Sequence, residues 1–222
     1  MIRLLLSCAA GFVVVAIAAA QAPVQRPDAR NLRLRGDRFK PLTYDEMTPA
    51  QKTMVEHLIA GPRGGVKGPF IPLLRSPELM DRLQKVGEYL RFRSALEPRI
   101  SEFVMLVVSR YWTQQFEWAV HVPLALKAGV KQDTVDSLAH GRRPATMAKD
   151  EAIAYDFCDE LVRNKGVSAA TYGSALDQFG EPGVIDLVGL VGYFTTVSMV
   201  MNVAHTPAPD GSDVEPLQPF PL

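Results

Sequence analysis

A chain of 222 residues, 47% hydrophobic and 22% charged, has enough apolar mass for one buried core, and two domains are not expected. Its 24 Lys and Arg balance its 24 Asp and Glu, with no block of five or six like charges. That excludes the basic footprint of a nucleic-acid binder and a polybasic membrane surface, and leaves a small molecule as the expected ligand.

The N-terminus, "MIRLLLSCAAGFVVVAIAAAQAPVQ", has one early cation, Arg3, and an apolar run from Ile2 to Ala20 broken only by Arg3, Ser7 and Gly11. Ala18, Ala19 and Ala20 then offer a small-residue cleavage site before Gln21. Residues 1–20 therefore read as a signal peptide leading to an extracytoplasmic (periplasmic or secreted) location. An uncleaved anchor is the competing reading, because the run approaches the roughly 20 residues needed to span a bilayer. Cleavage removes Arg3 and no acid, leaving a net charge of −1, and it removes Cys8, leaving Cys158 as the single thiol. No intramolecular disulfide is then available. Cys158 lies beside the apolar stripe Ile153, Ala154, Phe157 and Leu161, where a buried thiol acts as a small hydrophobe.

Residues 21–42 form a polar, Arg-rich lead, and residues 43–205 read as helices joined by short turns. Thr48 with Pro49 looks like an N-cap with proline at the first helical position, opening a helix to about Ala60. Ser76 with Pro77 repeats the signature and opens a helix with Leu79, Leu83, Val86 and Leu90 at three and four spacing. The stretch between them, "GPRGGVKGPFIPLLR", is too rich in Gly and Pro for regular structure and lacks the phosphate-loop pattern. It is either the edge of a pocket or a plain connector.

Pro98 starts a helix whose apolar run from Phe103 to Val108 makes it central. A helix from about Gln114 ends at Gly129, and a short one runs from about Gln132 to His140. "KDEAIAYDFCDELVRN" and "SAATYGSALDQF" add two more before Gly180 and Pro182 break the pattern. The last, about Val184 to Ala204, has no charged residue from Leu187 onward. Asp186 and the polar set Thr195, Thr196, Ser198 and Asn202 favour a core or interface helix over a membrane span. Residues 206–222 form a Pro-rich tail, extended and either loose or laid across a neighbouring subunit. No segment alternates as a strand would, so the class is all-α, with about six to eight helices. Helices this apolar are not all covered within one chain, which points to a homo-oligomer.

In "WTQQFEWAVHVPLALKAG", Gln114, Glu117 and His121 are separated by three and four residues and share one helical face. Phe116, Val120 and Leu124 surround that face with apolar packing. Glu102 begins a segment whose next six residues are apolar, an awkward place for a carboxylate without a partner. An antiparallel hairpin of the two helices brings Glu102 beside the His121 end of the next helix. Two carboxylates and an imidazole in a dry cleft are the parts needed for proton transfer.

The stretch from Glu102 to Gly129, with "GPFIPLLRSPELMDRLQKVGEYLR" before it and "MVMNVAHTPAPDG" after it, resembles the carboxymuconolactone decarboxylase family and its AhpD-type alkylhydroperoxidase relatives. The likeness spans about Tyr44 to Gly211. It implies an AhpD-like helical bundle assembled into trimers or hexamers, with a site near a subunit interface. The peroxidase branch carries a Glu, a Cys-x-x-Cys pair and a His; on this sequence those positions are Glu102, Gln114, Glu117 and His121. Thiol peroxidase chemistry needs a thiolate and a resolving cysteine, and both are missing. "EWAVH" is instead similar to the decarboxylase branch.

The function expected is cofactor-free, lyase-like proton transfer on a small cyclic or aromatic-derived carbonyl compound: decarboxylation, lactone or ring opening, elimination or isomerisation. His121 is the expected base or acid, Glu117 orients it and Glu102 is a second proton carrier. Gln114 and Arg110 are candidates to bind an oxyanion or carboxylate, and Trp118 and Tyr111 to wall the pocket. Three alternatives stand beside this reading. One is a noncatalytic ligand-binding or structural oligomer in which Glu117 and His121 form a satisfied pair. Another is a metal site built from Glu102, Glu117 and His121. The third is an alkylhydroperoxidase or peroxiredoxin-like activity using another thiol. His140 and His205, beside turns, read as solvated or capping residues.

Overall fold

In a computed structural model of the chain, residues 38–39 and 42–219 are described. The expected signal peptide over 1–20 and nearly all of the polar lead lie outside them. The described residues form helices and no strand. Helix α1, Pro49–Ala60, starts where the Thr48–Pro49 signature places it: Thr48 Oγ1 accepts from Gln51 N, and Gln51 Oε1 accepts from Thr48 N at 2.9 Å. That reciprocal cap satisfies two donors a helix start otherwise leaves open. The Gly- and Pro-rich stretch is largely irregular but includes a single turn, α2, Phe70–Leu73. Helix α3, Pro77–Phe92, follows Ser76, whose side chain makes no capping bond, so Pro77 alone carries that start signal.

Helix α4, Pro98–Tyr111, is the axis of the bundle, with every residue from Phe103 to Arg110 buried. It packs against α5 (Gln115–Ala128), α6 (Gln132–Ala139), α7 (Lys149–Asn164) and α8 (Ala169–Ala204). Each fully buried large apolar side chain there contributes about 1.5–3 kcal/mol relative to exposure. Arg99 pins the start of α4 to the start of α7 through Asp150 and Glu151. The two helices read from "SAATYGSALDQF" and Val184 to Ala204 are the arms of α8, bent at Gly180, whose φ of 66° and ψ of 174° leave the helical region. Pro182, which has no N–H to donate, continues the chain just past the bend.

Helix α8 is long and apolar enough to span a membrane, yet 56% of its most apolar stretch is buried. Leu187, Leu190, Phe194, Val197 and Met201 lie in the cores. Its polar residues serve the α4–α5 turn: Thr195 accepts from Trp112 Nε1 at 3.1 Å, and Asn202 donates to the Trp112 carbonyl at 3.0 Å. A smaller core of Met54, Val55, Leu58, Phe70, Leu74 and Met80 joins α1, α2 and α3. The tail folds back on its own chain. Gln115 donates to the Leu217 carbonyl and accepts from Leu217 N, at 2.7 and 2.9 Å, and Arg110 Nη1 donates to the Gln218 carbonyl at 2.7 Å.

Candidate active site

Helices α4 and α5 form the antiparallel hairpin that the placement of Glu102 requires. The turn between them is tight: Thr113, a β-branched residue, takes a left-handed φ of 47°. Gln114 then caps α5, its Oε1 accepting from Phe116 N and Glu117 N at 2.6 and 3.1 Å. With the turn fixed, His121 Nδ1 meets Glu102 Oε2 at 2.6 Å and His121 Nε2 meets Glu117 Oε2 at 3.1 Å. Glu102, Glu117 and His121 thus converge in one chain of hydrogen bonds, with His121 in the middle. The His121 ring is only 2% exposed and packs edge-on to Phe194 of α8, centroids 5.3 Å apart.

Burial alone pushes the imidazole toward its neutral form. The hydrogen bonds to Glu102 and Glu117, with their negative charges, outweigh it and raise the His121 pKa above its ordinary value. Each of the two contacts needs one proton. The cluster therefore carries a net charge of −1 whether both protons lie on the ring or one has moved to a carboxyl. The carboxylates approach opposite nitrogens of the ring, which suits a proton relay and does not gather the three side chains around one ion.

His121 and Glu117 open on a cavity of about 320 Å³, and Glu102 does not line it. The volume is near the lower end for small-molecule sites, about 300–1,000 Å³, and suits a single ring with substituents. Its other walls are Phe116 and Val120 of α5, Tyr193, Phe194 and Val197 of α8, the end of α3 at Arg91 and Phe92, and the 62–70 segment with Arg63, Lys67 and Phe70. That segment, read from sequence as pocket edge or connector, is pocket edge. Two glycines let the walls close. A Cβ on Gly87 would come within 2.2 Å of Tyr193 Oη, and one on Gly68 within 2.5 Å of the Phe116 ring. Burial pushes the Tyr193 hydroxyl up to about 12, against the charge of Arg63 beside it, so it is a neutral donor.

The four residues expected to bind substrate lie elsewhere. Gln114 is buried and spends its amide on the α5 cap and on Asn202 Oδ1, 3.3 Å away. Arg110 turns to the C-terminal tail, Trp118 is 2% exposed in the main core, and Tyr111 lies under the Arg163 guanidinium. None of the four lines the cavity. Cys158 is fully buried on α7, and desolvation holds its thiol far above the usual range, the opposite of an activated thiolate. His140 Nδ1 bonds to the Asp136 carbonyl at 2.7 Å, and His205 takes the left-handed C-cap of α8, as residues beside turns do.

Sequence reasoning did not single out Arg63, Arg91, Lys67 and Tyr193. They reach the cavity from the 62–70 loop, α3 and α8, and only the tertiary packing joins them. Arginine and lysine in the Gly-rich loop were the one available signal.

Residues 77–154 match the family model described as the carboxymuconolactone decarboxylase family. No curated protein matches the chain. Two solved structures share the fold. One is the alkylhydroperoxidase AhpD core of an uncharacterized peroxidase-related protein from Ralstonia eutropha JMP134, with a TM-score of 0.64 and 13% identity over 79% of this chain and 93% of that one. The other is an uncharacterized peroxidase-related protein from Silicibacter sp. TM1040, with a TM-score of 0.60 and 13% identity over 86% of this chain and 97% of that one. Over residues 77–154, a span that contains Glu102, Glu117 and His121, the chain is similar to the carboxymuconolactone decarboxylase family, and it carries that segment on an AhpD-like helical fold.

Proposed function

We propose that the protein is a cofactor-free enzyme that moves protons on a small cyclic or aromatic-derived carbonyl compound. The observation that carries this is the hydrogen-bonded chain Glu102, His121, Glu117 with one end exposed to a cavity of suitable size. Both ring nitrogens of His121 are engaged, so the group that touches substrate is Glu117. As a carboxylate it takes a proton from the carbon beside a carbonyl, and the electron pair of the broken C–H bond moves toward the carbonyl oxygen. His121 supports both charge states of Glu117 by shifting the proton on Nε2, and Glu102 holds the ring from behind. Return of the proton at another carbon is isomerisation, and departure of a ring oxygen is elimination or lactone opening. In a decarboxylation the pair comes from the broken C–C bond, and protonated Glu117 delivers the proton. Gln114 and Glu117 stand where the peroxidase branch holds its cysteines, and Cys158 is sealed in the core, so the site offers no thiolate to a peroxide.

Incubation with a panel of lactones, aromatic acids and cyclic ketones in D2O tests the reading. Deuterium incorporation or product formation on at least one compound is expected, abolished by Glu117→Gln. Full exchange rates in Glu117→Gln refute the role of Glu117.

The same reading places the enzyme outside the cytoplasm, on the strength of Arg3 and the apolar segment after it. It also takes the working form as a homo-oligomer. Ile185, Val188, Met199 and Val203 support this, as an exposed apolar strip along one side of α8.

A further inference from the structure

Glu117 is the one carboxylate lining the cavity, whereas Arg63, Arg91 and Lys67 bring three cations to it. With the proton-relay cluster at a net charge of −1, the site holds more positive charge than its own residues neutralise. The guanidinium groups lie over aromatic rings, Arg63 over Phe70 and Arg91 over Phe92, contacts that leave N–H groups open. Arg63 Nε and Nη2 and Arg91 Nε are buried without a hydrogen-bond partner among the described residues. Burial holds the Arg63 pKa below its usual range; the Tyr193 hydroxyl and Glu117 act against this and Arg91 adds to it. A guanidinium remains charged under such a shift, and two of them with buried N–H groups left open are costly unless an anion joins them.

We propose that Arg63 and Arg91, with the Tyr193 hydroxyl beside them, form a carboxylate-binding subsite that selects an anionic cyclic substrate. The inference rests on the function proposed above and names the substrate class for it. Guanidinium N–H groups pair with a carboxylate in a planar, charge-assisted arrangement, which also fixes the ring relative to Glu117. Pairing with arginine stabilises a carboxylate most while its charge is localised on oxygen, and loss of CO2 drains that charge away. The carboxylate held here is therefore the handle that the reaction keeps. Lys67, at the exposed rim, adds attraction during entry.

Calorimetric titration of the full chain with benzoate, salicylate and γ-butyrolactone-γ-carboxylate, each beside its methyl ester, tests the subsite. At least one acid should bind about tenfold or more tightly than its ester. Arg63→Met and Arg91→Met should each remove that preference, with Arg63→Lys restoring part of it and circular dichroism unchanged. Glu117→Gln should bind the acid as well as or better than the parent, because one negative charge leaves the cavity. Esters binding as tightly as acids throughout, no acid binding, or acid affinity indifferent to both methionine variants would overturn the subsite. Release of CO2 from a bound monoacid would overturn its role as a handle. Binding by the Glu117→Gln variant is independent of turnover. The subsite thus stands or falls separately from the proton chemistry.

Discussion

Glu102 of α4 and His121 of α5, 19 residues apart in sequence, meet across the hairpin with Oε2 and Nδ1 2.6 Å apart. Glu102 faces away from the cavity side of the ring, so its part is to orient and charge His121. Glu102→Gln keeps the shape and removes the charge. Turnover should fall about 10- to 100-fold, within the range attributed to positioned acid–base groups, with the pH profile shifted and KM nearly constant. A change in KM alone would reassign Glu102 to substrate binding.

The raised pKa of His121 sets how stability depends on pH. The ring binds its proton more tightly folded than unfolded. Its pairing therefore stabilises the fold in full below about pH 6.5, the ordinary value, and the contribution is lost as pH rises through the higher folded value. Urea midpoints of the parent and His121→Gln should differ most at the acid end of that window and converge above it. A gap that widens with pH contradicts a raised value.

Gln114 acts here as a helix cap. Gln114→Ala removes the acceptor for Phe116 N and Glu117 N and should cost about 1 kcal/mol in urea unfolding. Gln114→Asp, which retains an acceptor oxygen, should recover most of it. Equal stability of the two variants would show that the turn does not depend on the cap.

Gly87 controls how closely α3 and α8 approach behind the cavity. Gly87→Ala places a methyl 2.2 Å from Tyr193 Oη and 2.8 Å from Arg63 Nη2. A loss of about 1–3 kcal/mol in stability is expected from such overpacking. A crystal structure of the variant should show Tyr193 displaced and the Glu102–His121 contact intact.

The exposed strip on α8 makes the oligomer testable. Light scattering of the purified protein should give a mass above that of one chain, and a variant carrying Ile185→Lys and Val203→Lys should dissociate. A parent that elutes as a monomer at micromolar concentration refutes the assembly.

Much of the site was legible because it is local. The three and four spacing of Gln114, Glu117 and His121 fixes a shared helical face, and Glu102 stands out as a carboxylate at the head of an apolar run. The short α4–α5 connection then permits only a hairpin. What was not legible depends on distant partners. Gln114 shares the face but sits one residue before the first turn, where the free N–H groups of α5 claim its oxygen. Arg110 looked like a binding residue because it is a cation near the site, and its partner lies 108 residues away in the tail. Arg63 and Tyr193 lie far apart in the sequence, one in the 62–70 loop and the other on α8, and become neighbours only when the bundle packs. The fold itself was easier: helical periodicity and proline starts located the long helices, whereas the α2 turn and the bend in α8 follow from packing around Gly- and Pro-rich sequence.

The return of the tail to Gln115 gives the C-terminal segment a role that its composition does not suggest. The Gln115 side chain pairs with Leu217 as a strand neighbour would, and Arg110 holds the next carbonyl, so residues 217 and 218 buckle the turn that aims Glu117. Shortening the protein by a handful of residues at this end is an alteration of the hairpin that holds Glu117 and His121. A purification tag is better carried on a different part of the chain.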